Sequence, residues 1–179
     1  GQGWLEFDDL TFEALPAPRP LDYPLAVHVS SSVVKDQAEQ VGRDGVLRWV
    51  SAPGDANPTI AIDFGHVAEF GGLRLLWGTE SFATEYSIDG TVDGESWTRL
   101  SRICGANGDV DYVYLPHAEA RAVRLTVHRS SQKRPELREF HILPPAFGDS
   151  ANAAFETIAR EAPRGWYPRY FLGEMQPWT

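Results

Sequence analysis

The sequence predicts an all-β sandwich carrying one helix and an aromatic tail at its C-terminal end. Apolar and polar residues alternate over 26–30, 59–64, 73–77, 84–92, 97–101, 111–115, 121–128 and 138–142, with Gly, Pro, Asn and Asp between the runs. That spacing is the pattern of an antiparallel sandwich and not of a parallel α/β sheet. The chain has 179 residues, 42% hydrophobic and 12% aromatic, enough to fill one such core.

Residues 1–24 place Trp4, Leu5, Phe7, Leu10, Phe12 and Leu15 ahead of Pro16-Ala17-Pro18-Arg19-Pro20, which reads as a short strand followed by an extended linker. The sandwich is expected over 25–144. Its clearest hairpin runs from Thr84 to Trp97. Tyr86, Ile88 and Val92 share one face of the outgoing strand, Ser87, Asp89 and Thr91 the other, and Asp93-Gly94 supplies positive-φ chemistry for a tight turn. Trp49 and Trp97 are expected in the core, and the lone Cys104, which excludes an internal disulfide, is expected to be a small buried hydrophobe.

The region 145–179 differs in character. Asp149 or Ser150 can cap a helix whose Phe155, Ile158 and Ala162 form one stripe, ended by Pro163 and Gly165. Arg164-Gly165-Trp166-Tyr167-Pro168-Arg169-Tyr170-Phe171, with Trp178 beyond, is too apolar for a solvated linker and must bury against something.

A formal charge of −9 argues against a protein that tracks nucleic-acid phosphates or docks on anionic lipid. No apolar run has the length of a membrane span or a signal peptide. The chain starts Gly1-Gln2-Gly3 without Met and stops at Thr179 without an evident terminator, so it reads as a piece of something larger, and missing targeting segments say little. There is no zinc helix, nucleophile elbow, phosphate loop or Cys pair. Asp63-Phe64-Gly65 reads as a strand end with a turn glycine, and Asp109 with Asp111, or Asp8 with Asp9, as acidic loop residues and not a hydrolytic pair. These residues are expected to carry no enzyme activity.

The Tyr86-x-Ile88 strand followed by Asp93-Gly94-x-x-Trp97 resembles the discoidin-like (coagulation factor 5/8 type C) domains and the related galactose-type carbohydrate-binding modules. Further segments fall in that family's order. Ala38 to Ser51 resembles its Ala, Asp-Gly, Trp-x-Ser block, Thr59 to Gly65 its strand ending in Asp-Leu-Gly, Arg121 to Leu125 its Arg-Tyr-Val-Arg-Leu strand, and Glu139 to Ile142 its closing strand. The resemblance spans roughly 26–143. It implies a jelly-roll, galactose-binding-domain-like sandwich, a secreted or cell-surface habit, and a carbohydrate-binding accessory role beside an enzyme. The tail is similar to connectors that precede helical glycoside-hydrolase-like domains in large bacterial proteins, which would make Trp166, Tyr167, Tyr170 and Phe171 a docking surface for a following catalytic domain. Alternatively, helix and tail fold back and complete this sandwich.

Sugar binding needs rings to stack on a pyranose face and side chains that hydrogen-bond hydroxyls in a shallow cleft. Trp77, Glu80 and Phe82 in one loop, and His128, Arg129, Lys133 and Arg134 in another, offer that equipment. Trp77 shares the parity of Leu73 and Leu75, which favours a core position, and basic loop residues are commonly solvated. On an acidic protein the basic cluster could meet a uronic acid or an acidic partner domain. Sugar-binding members also hold a structural Ca²⁺, and the resemblance assigns its carboxylates to Asp44 and Glu139, although Leu47 stands where the family has an oxygen-bearing Thr. A structural module with no sugar site of its own is the competing expectation.

Overall fold

A computed structural model describes residues 20–32, 40–41, 46–161 and 169–172. The strands are β1 (Leu25–Val29), β2 (Gln40–Val41), β3 (Val46–Val50), β4 (Thr59–Trp77), β5 (Ala83–Thr91), β6 (Thr98–Cys104), β7 (Val110–Ser130) and β8 (Glu136–Leu143). Two helices, α1 (Pro145–Gly148) and α2 (Ala151–Glu161), and a last strand, β9 (Arg169–Leu172), follow.

The runs expected as separate strands at 59–64 and 73–77 are one strand, and so are those at 111–115 and 121–128. β4 and β7 pair antiparallel from Thr59↔Thr126 to Leu76↔Val110, with register shifts between Asp63 and Ala68 and between Phe70 and Gly72. Each bends there and serves both layers of a sandwich. One layer runs β2-β1-β4-β7-β5-β6 through the first half of β4 and the second half of β7. The other uses their remaining halves, in the order β3-β8-β4-β7, with β9 parallel on Asp111–Tyr114. The glycines and Pro116 that read as breaks are bends inside continuous ladders.

Between the layers lie Ile60, Ile62, Phe64, Phe70, Leu73, Leu75, Tyr86, Ile88, Val123, Leu125 and Phe140, with Trp49 fully enclosed. The inward-facing positions of β4 change from even to odd numbers across Gly71-Gly72, because a strand that gains a residue at a bulge must swap its faces. A smaller apolar cluster covers the outside of the second layer. Val110, Tyr112 and Leu143 meet Phe147 of α1 and Ala154 and Ile158 of α2. The Tyr114 hydroxyl donates to Gly148 O (3.1 Å) and that of Tyr112 to Glu161 (2.9 Å), locking the helices to β7. Ser150 is the helix cap, its Oγ accepting from Ala153 N at 3.1 Å.

Four expectations change. The stripe on α2 is Ala154 and Ile158, while Phe155 is 56% exposed. Val92 lies beyond the end of β5 and is 57% exposed, because 92–97 form a loop longer than a tight turn. Trp97 is half-buried, with the Arg124 guanidinium 4.3 Å above its ring. Cys104 is exposed. The strand expected before residue 20, Ala162, Trp166, Tyr167 and Trp178 lie outside the described residues, and Tyr170 and Phe171 are placed only as backbone of β9.

Gly71 is where the helical layer meets the sandwich. A methyl group there would sit 2.3 Å from Gly148 N and 2.5 Å from Pro144 O, both backbone atoms that have nowhere to go. Gly71→Ala is therefore expected to cost about 1–3 kcal/mol in urea denaturation, whereas Val92→Ala on the exposed loop should stay within about 0.5 kcal/mol.

Candidate functional site

β4 ends at Trp77 and the chain crosses to β5 through residues 78–82, so this loop begins in one layer and finishes in the other. Its two anchors meet on one side chain. Asp111 of β7 is fully buried, and its Oδ2 accepts from Trp77 Nε1 at 2.9 Å and from the Tyr86 hydroxyl at 2.8 Å. The two rings pack with centroids 5.4 Å apart. Burial first, and then the Asp111 charge, pushes the Tyr86 hydroxyl well above its ordinary pKa, which keeps it a donor. Trp77 thus belongs to the core, with 1% exposure, and its ring is not offered to a ligand.

The second loop, 131–135, is stitched to the first. Gly78 N donates to Glu136 O at 2.8 Å and Glu136 N to Ser81 O at 3.0 Å. The Ser131 hydroxyl donates to Glu80 O (2.9 Å) and accepts from Phe82 N (3.0 Å), and the Ser81 hydroxyl donates to Arg134 O. These bonds use backbone groups that would otherwise need water, so the loops form a preshaped surface.

That surface holds a shallow groove of about 540 Å³, lined by Val50, Ser81, Gln132, Lys133, Arg134 and Glu136. Of the residues expected from sequence, it gathers Lys133 and Arg134. Glu80 is exposed nearby but outside the lining. Phe82 is half-buried and packs over Gly108, away from the groove. His128 and Arg129 belong to β7 and point elsewhere: His128 Nε2 meets Ser87 Oγ at 3.0 Å, and Arg129 lies 4.0 Å from Glu85. Val50 and Glu136 lie outside both loops expected from sequence. Ser81 and Gln132 were within the two loops and polar, but Val50 comes from β3 through its register with Glu136, for which the local sequence has no signal.

Glu139 projects on the outer face of the second layer. Its Oε2 accepts from Arg74 Nη1 at 2.8 Å and lies 3.0 Å from His141 Nε2. Burial pushes this carboxyl up, but the hydrogen bonds from His141 and Arg74 outweigh it and hold Glu139 below the usual range. Arg74 and His141 thus occupy Oε2 of the Glu139 carboxylate, and Asp44, the other residue expected at a calcium site, lies outside the described residues. Among the described residues, no three His, Cys, Asp or Glu side chains gather as a metal site.

The Asp93 turn is structural. Asp93 Oδ1 accepts from Glu95 N and Ser96 N, both at 2.8 Å, and from Thr91 Oγ1 at 2.9 Å, while Gly94 takes a φ of 85°. The Ser96 and Glu95 amides and the Thr91 hydroxyl hold its carboxyl well below the carboxylate range.

A family model described as the F5/8 type C domain matches residues 28–140. Among solved structures, chitosan-binding module 2 from a Paenibacillus sp. IK-5 chitosanase/glucanase, in complex with chitotriose, is 25% identical with a TM-score of 0.61, covering 69% of this chain and 99% of that one. A Clostridium perfringens module, CpGH89CBM32-5, in complex with GalNAc-β-1,3-galactose, is 14% identical with a TM-score of 0.58, covering 66% and 94%. The Ruminococcus gnavus GH29 fucosidase in complex with fucose is 18% identical with a TM-score of 0.53, covering 69% of this chain and 26% of that one. No curated protein sequence matches.

Two outcomes test the site's supports. Tyr86→Phe should cost about 1–2 kcal/mol, and Asp111→Ala, which strands two buried donors at about 1–3 kcal/mol each, should cost more by chemical denaturation. The folded pKa of Glu139 lies below its unfolded value of about 4.3, so its contribution is complete above that pH and is lost as pH falls through the folded value. Melting temperatures of Glu139→Gln against pH should therefore converge on those of the parent protein in acid and fall below them at neutral pH.

Proposed function

The chain belongs to the F5/8 type C domain family, a family of non-catalytic binding domains, and from that premise we propose that it is a carbohydrate-binding accessory module whose site is the groove beside Ser81 and Gln132. The observation that carries this reading is the stitched pair of loops. These five hydrogen bonds fix the rim before any ligand arrives, so little conformational entropy is lost on binding. The hydroxyl and amide groups at the rim suit sugar hydroxyls, and a shallow open groove suits a chain end or a short stretch of polysaccharide. Solved relatives of similar fold hold chitotriose or GalNAc-β-1,3-galactose, which supports a saccharide as the ligand class. In this role the module would hold a linked catalytic domain near its polymer.

A second reading, a structural module between domains, draws on the C-terminal layer. α2 packs on the outside of the sandwich and β9 adds a strand to the edge of β7, so chain beyond the matched region becomes part of the fold, and Phe155 stands largely exposed on it. A following domain would dock there.

A glycan array followed by calorimetry separates the two. The accessory reading predicts a saccharide ligand whose affinity falls about tenfold in Gln132→Ala with the melting temperature unchanged. Silence across plant, bacterial and host glycans would leave the structural reading.

A further inference from the structure

Resting on the groove being the sugar site, we infer that its ligand is a carboxylated sugar, a uronate, and not a neutral hexose. The inference comes from what the lining contains and what it lacks. None of the residues Val50, Ser81, Gln132, Lys133, Arg134 and Glu136 is aromatic. The rings that could have served are committed elsewhere: Trp77 is buried on Asp111, Phe82 packs over Gly108, and Trp49 is enclosed in the core, its Nε1 donating to Ser31 O at 2.7 Å. Stacking on the flat face of a neutral pyranose is the usual source of affinity in a shallow site, and here it is missing. Binding must come from polar and charged contacts.

The charges at the groove are unbalanced in one direction. Glu136 is the only acid in the lining, and its Oε1 accepts from Arg138 Nε at 3.1 Å, so its charge is already offset. Lys133 and Arg134 are exposed, and among the described residues no carboxylate lies in ion-pair contact with either. Five other arginines of the sandwich are matched. Arg74 pairs with Glu139, Arg99 and Arg124 with Asp89, Arg102 with Glu85, and Arg121 with Asp63. On a chain of net charge −9, two adjacent unmatched cations at the rim of a preformed groove make a local positive field facing solvent. A guanidinium recognises a carboxylate with two parallel hydrogen bonds, and a neighbouring ammonium adds charge without demanding geometry. Ser81 and Gln132 are then placed for the ring hydroxyls. The same field disfavours protonated amino sugars.

Calorimetry on the 179-residue chain with four probes tests this: oligogalacturonate, its methyl ester, a neutral galacto-oligosaccharide and a chitosan oligomer, with dextran sulfate as a control for unspecific polyanion capture. Oligogalacturonate is expected to bind at least tenfold more tightly than its methyl ester, and more weakly as salt rises. Lys133→Ala and Arg134→Ala, both on exposed side chains, should each remove most of that margin while leaving the melting temperature unchanged. Equal affinity for the acid and the ester, a preference for the neutral or amino sugar, or dextran sulfate binding as tightly as oligogalacturonate would overturn the uronate assignment and leave the carbohydrate-binding reading standing. Binding to no saccharide at all would overturn both.

Discussion

One buried carboxylate ties the fold to the site. Asp111 lies in the second layer, Tyr86 in the first, and Trp77 at the last position of β4, and a single oxygen of Asp111 receives both ring donors. An unpaired carboxylate in this core would be costly, so its presence is tolerable only with donors that are themselves held rigidly by packing. That requirement works in both directions. The donors satisfy Asp111, and Asp111 fixes where the 78–82 loop leaves one layer and enters the other. Trp77 N also donates to Asp109 O at 2.7 Å, so the end of β4 is held by side chain and backbone together. The 78–82 loop, whose Ser81 lines the groove, is built on these anchors.

The long strands distribute that constraint. Because β4 and β7 run through both layers, a register change in either would rotate inward residues outward in both layers at once. The bends at Gly71-Gly72 and at Pro116-His117 are therefore part of the specification. His117 adopts a φ of 55°, and the short helix α1 nests against Gly71, so the bends also create the platform on which α2 lies. The sandwich's outer faces are finished differently. Around β5 it is finished by ion pairs and the Arg124–Trp97 stack, and around β7 by helices.

Much of this was legible in the chain. Alternation located β4 to β8, although it divided β4 and β7 into two runs each and did not mark β9, Asp93-Gly94 marked a real turn, Trp49 sits in the core, and the ordered blocks identified the family. What escaped has physical reasons. Alternation assumes that one face is wet, yet Ser87 and Asp89 are buried because His128, Arg99 and Arg124 reach across them. Long charged side chains cover area that their sequence letters do not announce. On the helix, Ile158 is buried as expected, but Ala154 and not Phe155 is the other residue turned to β7. At the site, loop chemistry was visible in Lys133 and Arg134, but a residue's partner loop depends on which strands lie side by side. Phe82 and Arg129 left the groove for that reason, and Val50 joined it.

The proposed function carries a spatial claim: recognition would belong to the stitched loops at one end of the sandwich and not to its charged sheet face or its helical layer. Backbone amide shifts in a two-dimensional NMR titration with an acidic oligosaccharide read that claim residue by residue. Perturbations should concentrate at Val50, Ser81, Gln132, Lys133, Arg134 and Glu136. Perturbations concentrated instead around Glu85, Arg99 and Arg102, or around Glu69, His117 and Asp149, would contradict it.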